Sequence, residues 1–440
     1  MKRALYKHLK SWKSDPKRKP LLLQGARQVG KTYLVSEFGK QEYENYVYLN
    51  FEQNPGLSVL FRNVLDPVQI IENISLYIGR KINAEGTLLF FDEIQIAPEV
   101  LTSLKYFYEQ APEYHLIAAG SLLGVSVGKS GSFPVGKVNF LTMVPMTFIE
   151  YLAAFGEELL AEKLSGIESP ESLPEPIHEK LNKLLKLYLF LGGMPEVLQD
   201  YIDNRDVKSV RKIQNDILDA YQRDFSKYTD RHQALKTAEL WNAIPRQLAK
   251  ENKKFKYSDV RHKARATTFG QTIEWLKKAG LINVSYNILV PKLPLSGYAD
   301  YSKFKIFLHD TGLLGAMLKI PSGIIVEPTK IFFEYRGAFI ENYVAQELVA
   351  SRMDLLYWTS KSEAEVDFIL QKQNGIYPLE VKSGTGKSIR SLRSYEEKYG
   401  PELIYRTSPR NFVQSDNFIN IPLYATFLLG KEEMQIQDSR

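Results

Sequence analysis

The chain has 440 residues, which is long enough for about three domains that each bury a hydrophobic core. Hydrophobic residues make up 44% and charged residues 25%, and these ordinary values exclude the disordered, collagen-like and coiled-coil classes. The formal net charge of +6 is compatible with nucleic acid as a partner but does not require it.

The sequence contains no cysteine, which excludes disulfide scaffolds, thiol catalysis and zinc sites with cysteine ligands. Its six histidines are scattered, so we expect any metal ion to have oxygen ligands. No stretch approaches the ~18 apolar residues of a membrane span, and the first twenty residues lack the apolar core of a secretion signal. We therefore expect a cytoplasmic protein without membrane contact.

Short apolar runs alternate with helical patterns between residues 20 and 151. Such runs are typical of strands in a parallel sheet that helices cover on both faces. This pattern predicts an α/β domain over residues 1–165. The runs are Leu21–Leu23, Tyr46–Phe51, Thr87–Phe91 and His115–Ala119.

The first run leads into a phosphate-binding sequence, Gly-Ala-Arg-Gln-Val-Gly-Lys-Thr, which fits the P-loop pattern GxxxxGK[ST] between a strand and a helix. The glycines let backbone N–H groups point at phosphate oxygens, while Lys31 neutralises phosphate charge and Thr32 reaches Mg²⁺. The sequence therefore predicts ATP and Mg²⁺ as cofactors. The predicted nucleotide-binding residues are Gly25, Ala26, Arg27, Gln28, Val29, Gly30, Lys31, Thr32 and Tyr33.

Two carboxylates, Asp92 and Glu93, end a buried apolar strand about sixty residues after the P-loop. We expect Asp92 to bind Mg²⁺ and Glu93 to polarise the attacking water, which is the division of labour that ATP hydrolysis needs. Ser121 ends the following strand, at the edge of the sheet where ligands of open α/β folds bind. It is a candidate γ-phosphate or water sensor, and a helix N-cap is an equal alternative.

Three further segments follow the predicted ATPase core. A stretch with Pro170, Pro174 and Pro176 among Ser and Glu precedes helical periodicity from Leu181 to about Leu248, and together they predict a helical lid over residues 166–248. Residues 249–325 show amphipathic helices before two strand-like runs, the pattern of a winged helix. Residues 326–440 read as a separate α/β domain.

The last segment carries a second group of carboxylates. Strand alternation places Glu365, Asp367 and Ile369 on one face, with Val366, Phe368 and Leu370 on an opposite face towards a core. If Asn374 and Gly375 form a two-residue turn, Asp367 pairs with Lys382 and lies diagonal to Glu380. Glu341 borders the buried stripe of a preceding helix and needs a cation, which a metal ion could supply.

Carboxylates beside a lysine are what metal-dependent phosphodiester cleavage requires, because the acids bind Mg²⁺ and the lysine assists. The spacing Asp-x12-Glu-x-Lys resembles the core of PD-(D/E)XK nucleases. The predicted residues are therefore Asp367, Glu380 and Lys382 as catalytic groups, with Glu341, Asp367 and Glu380 as metal ligands. A fold that keeps these residues without cutting DNA is the open alternative.

The segment from Lys250 to Arg265 contains seven Lys and Arg residues but only two acidic residues. In a winged helix they would lie along the phosphates of double-stranded DNA. A solvated helix face explains them equally well. They are Lys250, Lys253, Lys254, Lys256, Arg261, Lys263 and Arg265.

These motifs together resemble the AAA+ superfamily, and the whole chain is similar to a family of uncharacterised bacterial and archaeal ATP-binding proteins. Besides the P-loop, the resemblance rests on short motifs spread over the chain: FFDEIQ (90–95), GSLL (120–123), PMTFIEY (145–151), GGMPEV (192–197), QRDFSKY (222–228) and HDTGLL (309–314). It implies a P-loop ATPase, a helical lid, a winged helix and a C-terminal domain similar to PD-(D/E)XK nucleases.

Relatives often carry Arg where this chain has Lys137, and lysine lacks the planar fork of an arginine finger. Arg223 is an alternative source of charge for the transferring phosphate, and structural ion pairing explains it as well. Together these features predict an ATP-hydrolysing enzyme that acts on DNA, with a homo-oligomer or a partner protein as its assembly. The alternative is a nucleotide-gated switch whose inactive C-terminal domain binds a partner protein.

Overall fold

The computed structural model describes residues 1–62, 64–121, 136–250, 253–320, 330–360, 364–373, 375–386 and 389–431. It divides into two compact units, one of residues 1–144 with 278–280 and one of residues 145–277 with 281–440. The four-part division expected from the sequence stays a prediction, and its last boundary, at 325–326, lies outside the described residues.

The first unit is built on a five-stranded sheet whose neighbouring strands are all parallel. The strand order is β2-β3-β4-β1-β5, which confirms the predicted parallel-sheet α/β core. Because β4 lies between β1 and β3, the residues that follow these three strands meet at one edge of the sheet. The strands are β1 (Leu21–Gln24), β2 (Asn45–Asn50), β3 (Thr87–Asp92), β4 (His115–Gly120) and β5 (Asn139–Thr142).

Helices cover this sheet. Every residue of β3 is buried beneath them, which explains why the sequence of β3 is almost entirely apolar. One layer packs α3 and α4 on the sheet through a core that includes Phe51, Phe61 and Phe91. The helices are α1 (Leu5–Ser14), α2 (Lys31–Glu42), α3 (Pro67–Ile78) and α4 (Pro98–Gln110), with a 3-10 helix over Pro55–Phe61.

The second unit begins with helices. Thr147 starts the first of them with a capping box, in which its side chain and that of Glu150 each accept a backbone N–H of the other residue. The helices are α5 (Phe148–Ala154), α6 (Glu158–Ser165), α7 (Glu175–Leu191), α8 (Pro195–Asn204), α9 (Val207–Tyr228) and α10 (Arg231–Leu248).

A helix and a hairpin follow, where the sequence predicts a winged helix. Helix α11 (Ala266–Lys278) precedes β6 (Ile282–Ile288), which pairs antiparallel with β7 (Ala299–Leu308). Strand β6 also pairs in parallel with β8 (Leu356–Thr359), so its two edges are both hydrogen-bonded. The resulting sheet has the order β7-β6-β8-β9, with β9 at Glu365–Val366.

The C-terminal segment forms a second five-stranded sheet, with the order β10-β11-β12-β14-β13. Its strands are β10 (Phe368–Lys372), β11 (Gly375–Val381), β12 (Ile404–Ser408), β13 (Val413–Ser415) and β14 (Phe418–Pro422). The helices of this part are α12 (Thr311–Met317), α13 (Lys330–Ala350) and α14 (Arg390–Tyr399), followed by a 3-10 helix over Leu423–Gly430.

The predicted hairpin exists, but its register was wrong by two residues. Phe368 pairs with Leu379 and Lys372 with Gly375, whereas the predicted turn would pair Phe368 with Val381 and Lys372 with Tyr377. Asn374, half of the predicted turn, lies outside the described residues. A shift of two keeps the paired residues of β10 and β11 on their predicted faces, whereas Asp367 precedes the first pair.

The prediction of one continuous strand over 365–370 was also wrong. The chain leaves one sheet at Val366 and enters the other at Phe368, with a bend at Asp367. The bend brings Val366 and Ile369 into the same hydrophobic core, although simple alternation predicts opposite faces.

Among the helices in the described part of the chain, none is both long and apolar enough to cross a membrane.

Candidate functional site

The P-loop connects β1 to α2 through two glycine conformations that side chains rarely adopt. Gly25 has φ +150° and Gly30 has φ +96°, and Gly30 directly precedes the first residue of α2. A Cβ on Gly25 would lie 2.2 Å from the backbone oxygen of Met143, so this position has no room for a side chain. The loop therefore presents backbone groups and the N-terminus of a 12-residue helix, which suit an anion.

The side chains of the predicted loop differ in exposure. Ala26 and Val29 are buried and offer only backbone groups, whereas Gln28, Thr32 and Tyr33 are exposed. Arg27 bonds Glu52 at 3.4 Å.

Lys31 is 6% exposed, and its ammonium donates to the backbone oxygens of Gly25 at 3.0 Å and Ala26 at 2.8 Å. Burial lowers its pKa to about 8, partly offset by the charges of Glu93 and Asp92. A buried cation is thus held across the loop that the motif assigns to phosphate.

Asp92 is buried at the end of β3, and Thr32 donates a hydrogen bond of 2.8 Å to its Oδ2. Tyr48, on the neighbouring strand β2, donates to the same oxygen at 3.1 Å. Burial raises the pKa of Asp92. The two predicted Mg²⁺ ligands, Thr32 and Asp92, are therefore in direct contact, and their hard oxygens fit that ion.

Glu93 adopts a left-handed backbone conformation, with φ +55°, directly after β3. Its Oε2 accepts from Gln95 at 2.5 Å and from the hydroxyl of Ser121 at 3.3 Å. Oε1 of Gln95 is buried without a hydrogen-bond partner. All four predicted catalytic residues of this region, Lys31, Asp92, Glu93 and Ser121, thus lie at the carboxyl edge of the sheet.

Sequence reasoning missed two supports of this site. Arg3 is buried and donates to the backbone oxygen of Val29 at 2.8 Å and of Val144 at 2.6 Å, which ties the loop to the segment after β5. Tyr48 was read only as part of a strand. No local pattern signals either contact.

Lys137 and Arg223 are the two residues considered as sources of positive charge for the transferring phosphate, and the structure places them as follows. Lys137 pairs with Glu109 at 3.0 Å within the first unit. Arg223 belongs to α9 of the second unit and is exposed.

The second carboxylate group surrounds a buried lysine. Lys305 is 0% exposed on β7 and bonds Glu341 at 2.9 Å and Glu365 at 2.5 Å. Glu341 also pairs with Lys253. The cation that Glu341 was expected to need is therefore lysine, whereas we had expected a metal ion. Within the described residues, His, Asp and Glu side chains form no group of three that could hold a metal ion as they stand.

Of the remaining predicted residues of this group, Asp367 contacts the backbone of the segment that carries Glu380 and Lys382. Asp367 Oδ2 accepts the backbone N–H of Val381 at 2.8 Å, and Lys382 pairs with Glu380 at 2.6 Å. Burial, and next the charge of Glu341, raise the pKa of Asp367. Glu380 is 5% exposed, and its Oε2 is buried without a hydrogen-bond partner.

The basic segment is partly neutralised. Lys250 pairs with Asp259 at 2.8 Å, Arg261 with Glu239 at 2.6 Å, and Lys253 with Glu341. The exposed basic side chains beyond these pairs include Lys256, Lys263 and Arg265.

Three of the motifs meet in a buried polar network of the second unit. Met146 donates its N–H to the oxygen of Gly193 at 2.7 Å, and Gly193 donates to Asp310 Oδ2 at 2.6 Å. Tyr188 donates to the oxygen of Met146 at 2.5 Å, and Glu347 accepts the N–H of Phe148 at 3.0 Å. This network joins PMTFIEY, GGMPEV and HDTGLL, and sequence reasoning gave it no role.

Family models match three parts of the chain. Residues 17–152 match an AAA domain, so the chain contains a P-loop ATPase domain of the AAA type. Residues 182–323 match a domain of unknown function (DUF8612), and residues 336–425 match another (DUF4143). A search among curated proteins gives no match.

The solved structures that match this chain include the following three. The Walker-type ATPase PABY2304 of Pyrococcus abyssi is 15% identical, over 71% of this chain and 94% of its own, with a TM-score of 0.43. The Orc1 protein of Aeropyrum pernix in complex with DNA is 14% identical over 73% and 91%, with a TM-score of 0.31. AMPPCP-bound DnaA of Aquifex aeolicus is 15% identical over 63% and 88%, with a TM-score of 0.29.

Proposed function

We propose that the first unit binds ATP with Mg²⁺ and hydrolyses it. The observation that carries this proposal is the meeting of Lys31, Thr32, Asp92 and Glu93 at one sheet edge, in a segment that matches an AAA domain. Lys31 and the loop amides bind the β- and γ-phosphates, and Glu93 orients the attacking water. When bound, Mg²⁺ neutralises charge that develops on the phosphates.

The test compares ATP binding and turnover in three variants. Lys31→Ala removes the buried cation and is expected to lose ATP binding by calorimetry. Glu93→Gln keeps the size and the acceptor oxygen of the side chain, so it should bind ATP but hydrolyse it at least ~100-fold more slowly. Lys40→Ala, an exposed lysine of the same helix, is the control and should behave as the parent protein. Normal turnover in both site variants would refute the proposal.

We further propose that the C-terminal segment is a nuclease-like domain that cleaves double-stranded DNA with Mg²⁺. Two observations support it: Asp367 accepts the backbone N–H of Val381, which lies between the paired Glu380 and Lys382, and Glu380 has a buried oxygen without a partner. The order of α10, α11 and the β6–β7 hairpin supports a winged helix beside it, with Lys256, Lys263 and Arg265 available to DNA phosphates.

Labelled duplex DNA with Mg²⁺ or Mn²⁺ tests the nuclease proposal. Cleavage should vanish in Asp367→Ala and in Lys382→Ala, while Lys398→Ala, on α14, should cut normally. The rival function is a nucleotide-gated switch with an inactive C-terminal domain that binds a partner protein. The pairing of Glu341 with two lysines favours it, and no cleavage by the parent protein under varied metal and salt would decide for it.

A further inference from the structure

Arg27 is the third residue of the P-loop, and its side chain connects the loop to the segment that follows β2. Its guanidinium donates to Glu52 at 3.4 Å, and the two side chains are 33% and 29% exposed. Two residues before Glu52, Asn50 pairs with Asp92 in the sheet, and Phe51 donates its N–H to the backbone oxygen of Asp92. The ion pair therefore joins the phosphate-binding loop to the edge of the sheet where the proposed Mg²⁺ ligand lies.

The P-loop brings two cations near each other. Burial is the main cause that lowers the pKa of Lys31, and the charge of Arg27 lowers it further, so the two positive charges repel each other. An anion placed beside both would relieve this repulsion. Glu52 supplies negative charge to Arg27 in the structure, but through a contact that is partly exposed and long for a charged hydrogen bond. A phosphate group can therefore replace this carboxylate as the partner of Arg27.

The sheet register places Lys137 away from the proposed phosphate site. Lys137 comes two residues before Asn139, the first residue of β5, which pairs with Leu21 at the start of β1. The P-loop follows the other end of β1, so Lys137 lies at the opposite edge of the sheet. Arg223 belongs to α9 of the second unit. Arg27 differs from both because the loop itself carries it.

We propose that Arg27 binds the γ-phosphate of ATP as a second cation beside Lys31, and that Glu52 holds its guanidinium until ATP takes the place of the carboxylate. This inference rests on the ATPase function proposed above and names a residue that makes the site prefer a triphosphate to a diphosphate. The planar guanidinium can bond two phosphate oxygens at once. The same charge stabilises the phosphoryl group during its transfer to water.

The test measures, by calorimetry with Mg²⁺, the affinity of the full chain for ADP and for a non-hydrolysable ATP analogue. Arg27→Gln removes the charge, so the analogue should bind at least ~10-fold more weakly while the affinity for ADP changes less than ~2-fold. Arg27→Lys keeps the charge without the planar fork and should fall between. Arg80→Gln is the matched control with both parent affinities, because exposed Arg80 bonds Tyr46 at the other end of β2. Thermal unfolding confirms that each variant folds.

A second variant tests the role of Glu52. Glu52→Gln removes the competing carboxylate, so it should bind the analogue at least ~3-fold more tightly, and this gain should disappear when Arg27→Gln is added. Equal losses of ADP and analogue affinity in Arg27→Gln would overturn the proposal, and so would a gain in Glu52→Gln that survives the second substitution. A parent protein that binds neither nucleotide would instead refute the ATPase function on which the inference rests.

Discussion

Lys31 illustrates how the fold changes the pKa of a single side chain at the proposed ATP site. Burial lowers the pKa of this lysine to about 8, since Glu93 and Asp92 offset only part of the desolvation. A triphosphate would bring more negative charge to the ammonium and raise its pKa again. Binding of ATP above pH 8 must therefore include uptake of a proton.

We predict that ATP affinity falls as the pH rises above about 8. Below that pH Lys31 is already protonated and the dissociation constant is flat, whereas above it the constant rises by up to ~10-fold per pH unit until the pKa of the bound state is reached. Calorimetry at pH 9 in buffers of different ionisation enthalpy measures the proton uptake. Lys31→Arg does not titrate in this range and should lose the pH dependence. Equal proton uptake at pH 7.5 and 9 would contradict this explanation.

The role of a residue could be predicted from the sequence where its partners are close to it in the sequence. The loop from Gly25 to Thr32 follows from eight consecutive residues, because the phosphate-binding geometry is itself local. The partners of Glu341 are 36 and 88 residues away, and the contact of Arg3 with Val29 spans 26. No periodicity or motif carries that information, so a metal ion was expected where lysines lie.

At the scale of elements, the approach of Gly193 to Met146 fixes how the start of α8 packs against the segment before α5. A Cβ on Gly193 would lie 2.2 Å from the backbone oxygen of Met146, and backbone cannot easily move aside. We predict that Gly193→Ala lowers the free energy of unfolding of the second unit by about 2 kcal/mol or more, measured by urea denaturation.

The matched control is Gly270→Ala in α11, where an added Cβ meets no atom within 4 Å. Alanine is a better helix former than glycine, so this variant should gain about 0.5–1 kcal/mol. If both variants lose similar stability, the close approach of Gly193 is not the cause.

The helix α13 buries a carboxyl group that favours its neutral form. Glu347 has one oxygen bonded to the N–H of Phe148 and the other buried without a partner. Burial raises its pKa to about 7, and the charge of Glu150 adds to this. The native state therefore holds a proton that the unfolded chain releases at lower pH.

We predict that the stability contributed by protonated Glu347 is complete below the unfolded pKa and is lost as the pH rises through about 7. The loss amounts to roughly 3 kcal/mol. Glu347→Gln keeps an acceptor for Phe148 but cannot ionise, so urea denaturation between pH 5 and 8 should give a flatter profile. Exposed Glu179→Gln on α7 should retain the parent profile. A parent-like slope in Glu347→Gln would exclude this carboxyl as the source.

Elements were predicted well where the hydrophobic pattern decides. The parallel sheet of the first unit follows from continuous apolar runs, and the hairpin at 368–381 follows from alternation. Register and the bend at Asp367 depend on which sheet each half of the strand joins, and that choice is made by tertiary packing.

At the scale of the molecule, the division into two units bears on how ligands stabilise the chain. The P-loop and both acidic residues of the proposed ATP site lie in the first unit. A ligand stabilises the unit that binds it, by about 2.7 kcal/mol at a concentration of 100 times its dissociation constant.

We predict two transitions in calorimetric unfolding, only one of which moves to higher temperature with a non-hydrolysable ATP analogue and Mg²⁺. In Lys31→Ala neither transition should move. A single transition that shifts as a whole would show that the units unfold together.

The pairing of strand β6 determines where the predicted winged-helix segment can be cut out as an isolated fragment. It is paired on both sides, with β7 and with β8, and β8 begins some thirty residues after the predicted boundary at 325–326. A fragment that stops there discards β8 and leaves the N–H and C=O groups of Tyr286, Asn287 and Ile288 without their β8 partners. Such a bare edge recruits other chains, so the isolated fragment should self-associate, whereas one that extends through Val366, and so keeps both β8 and its neighbour β9, should not.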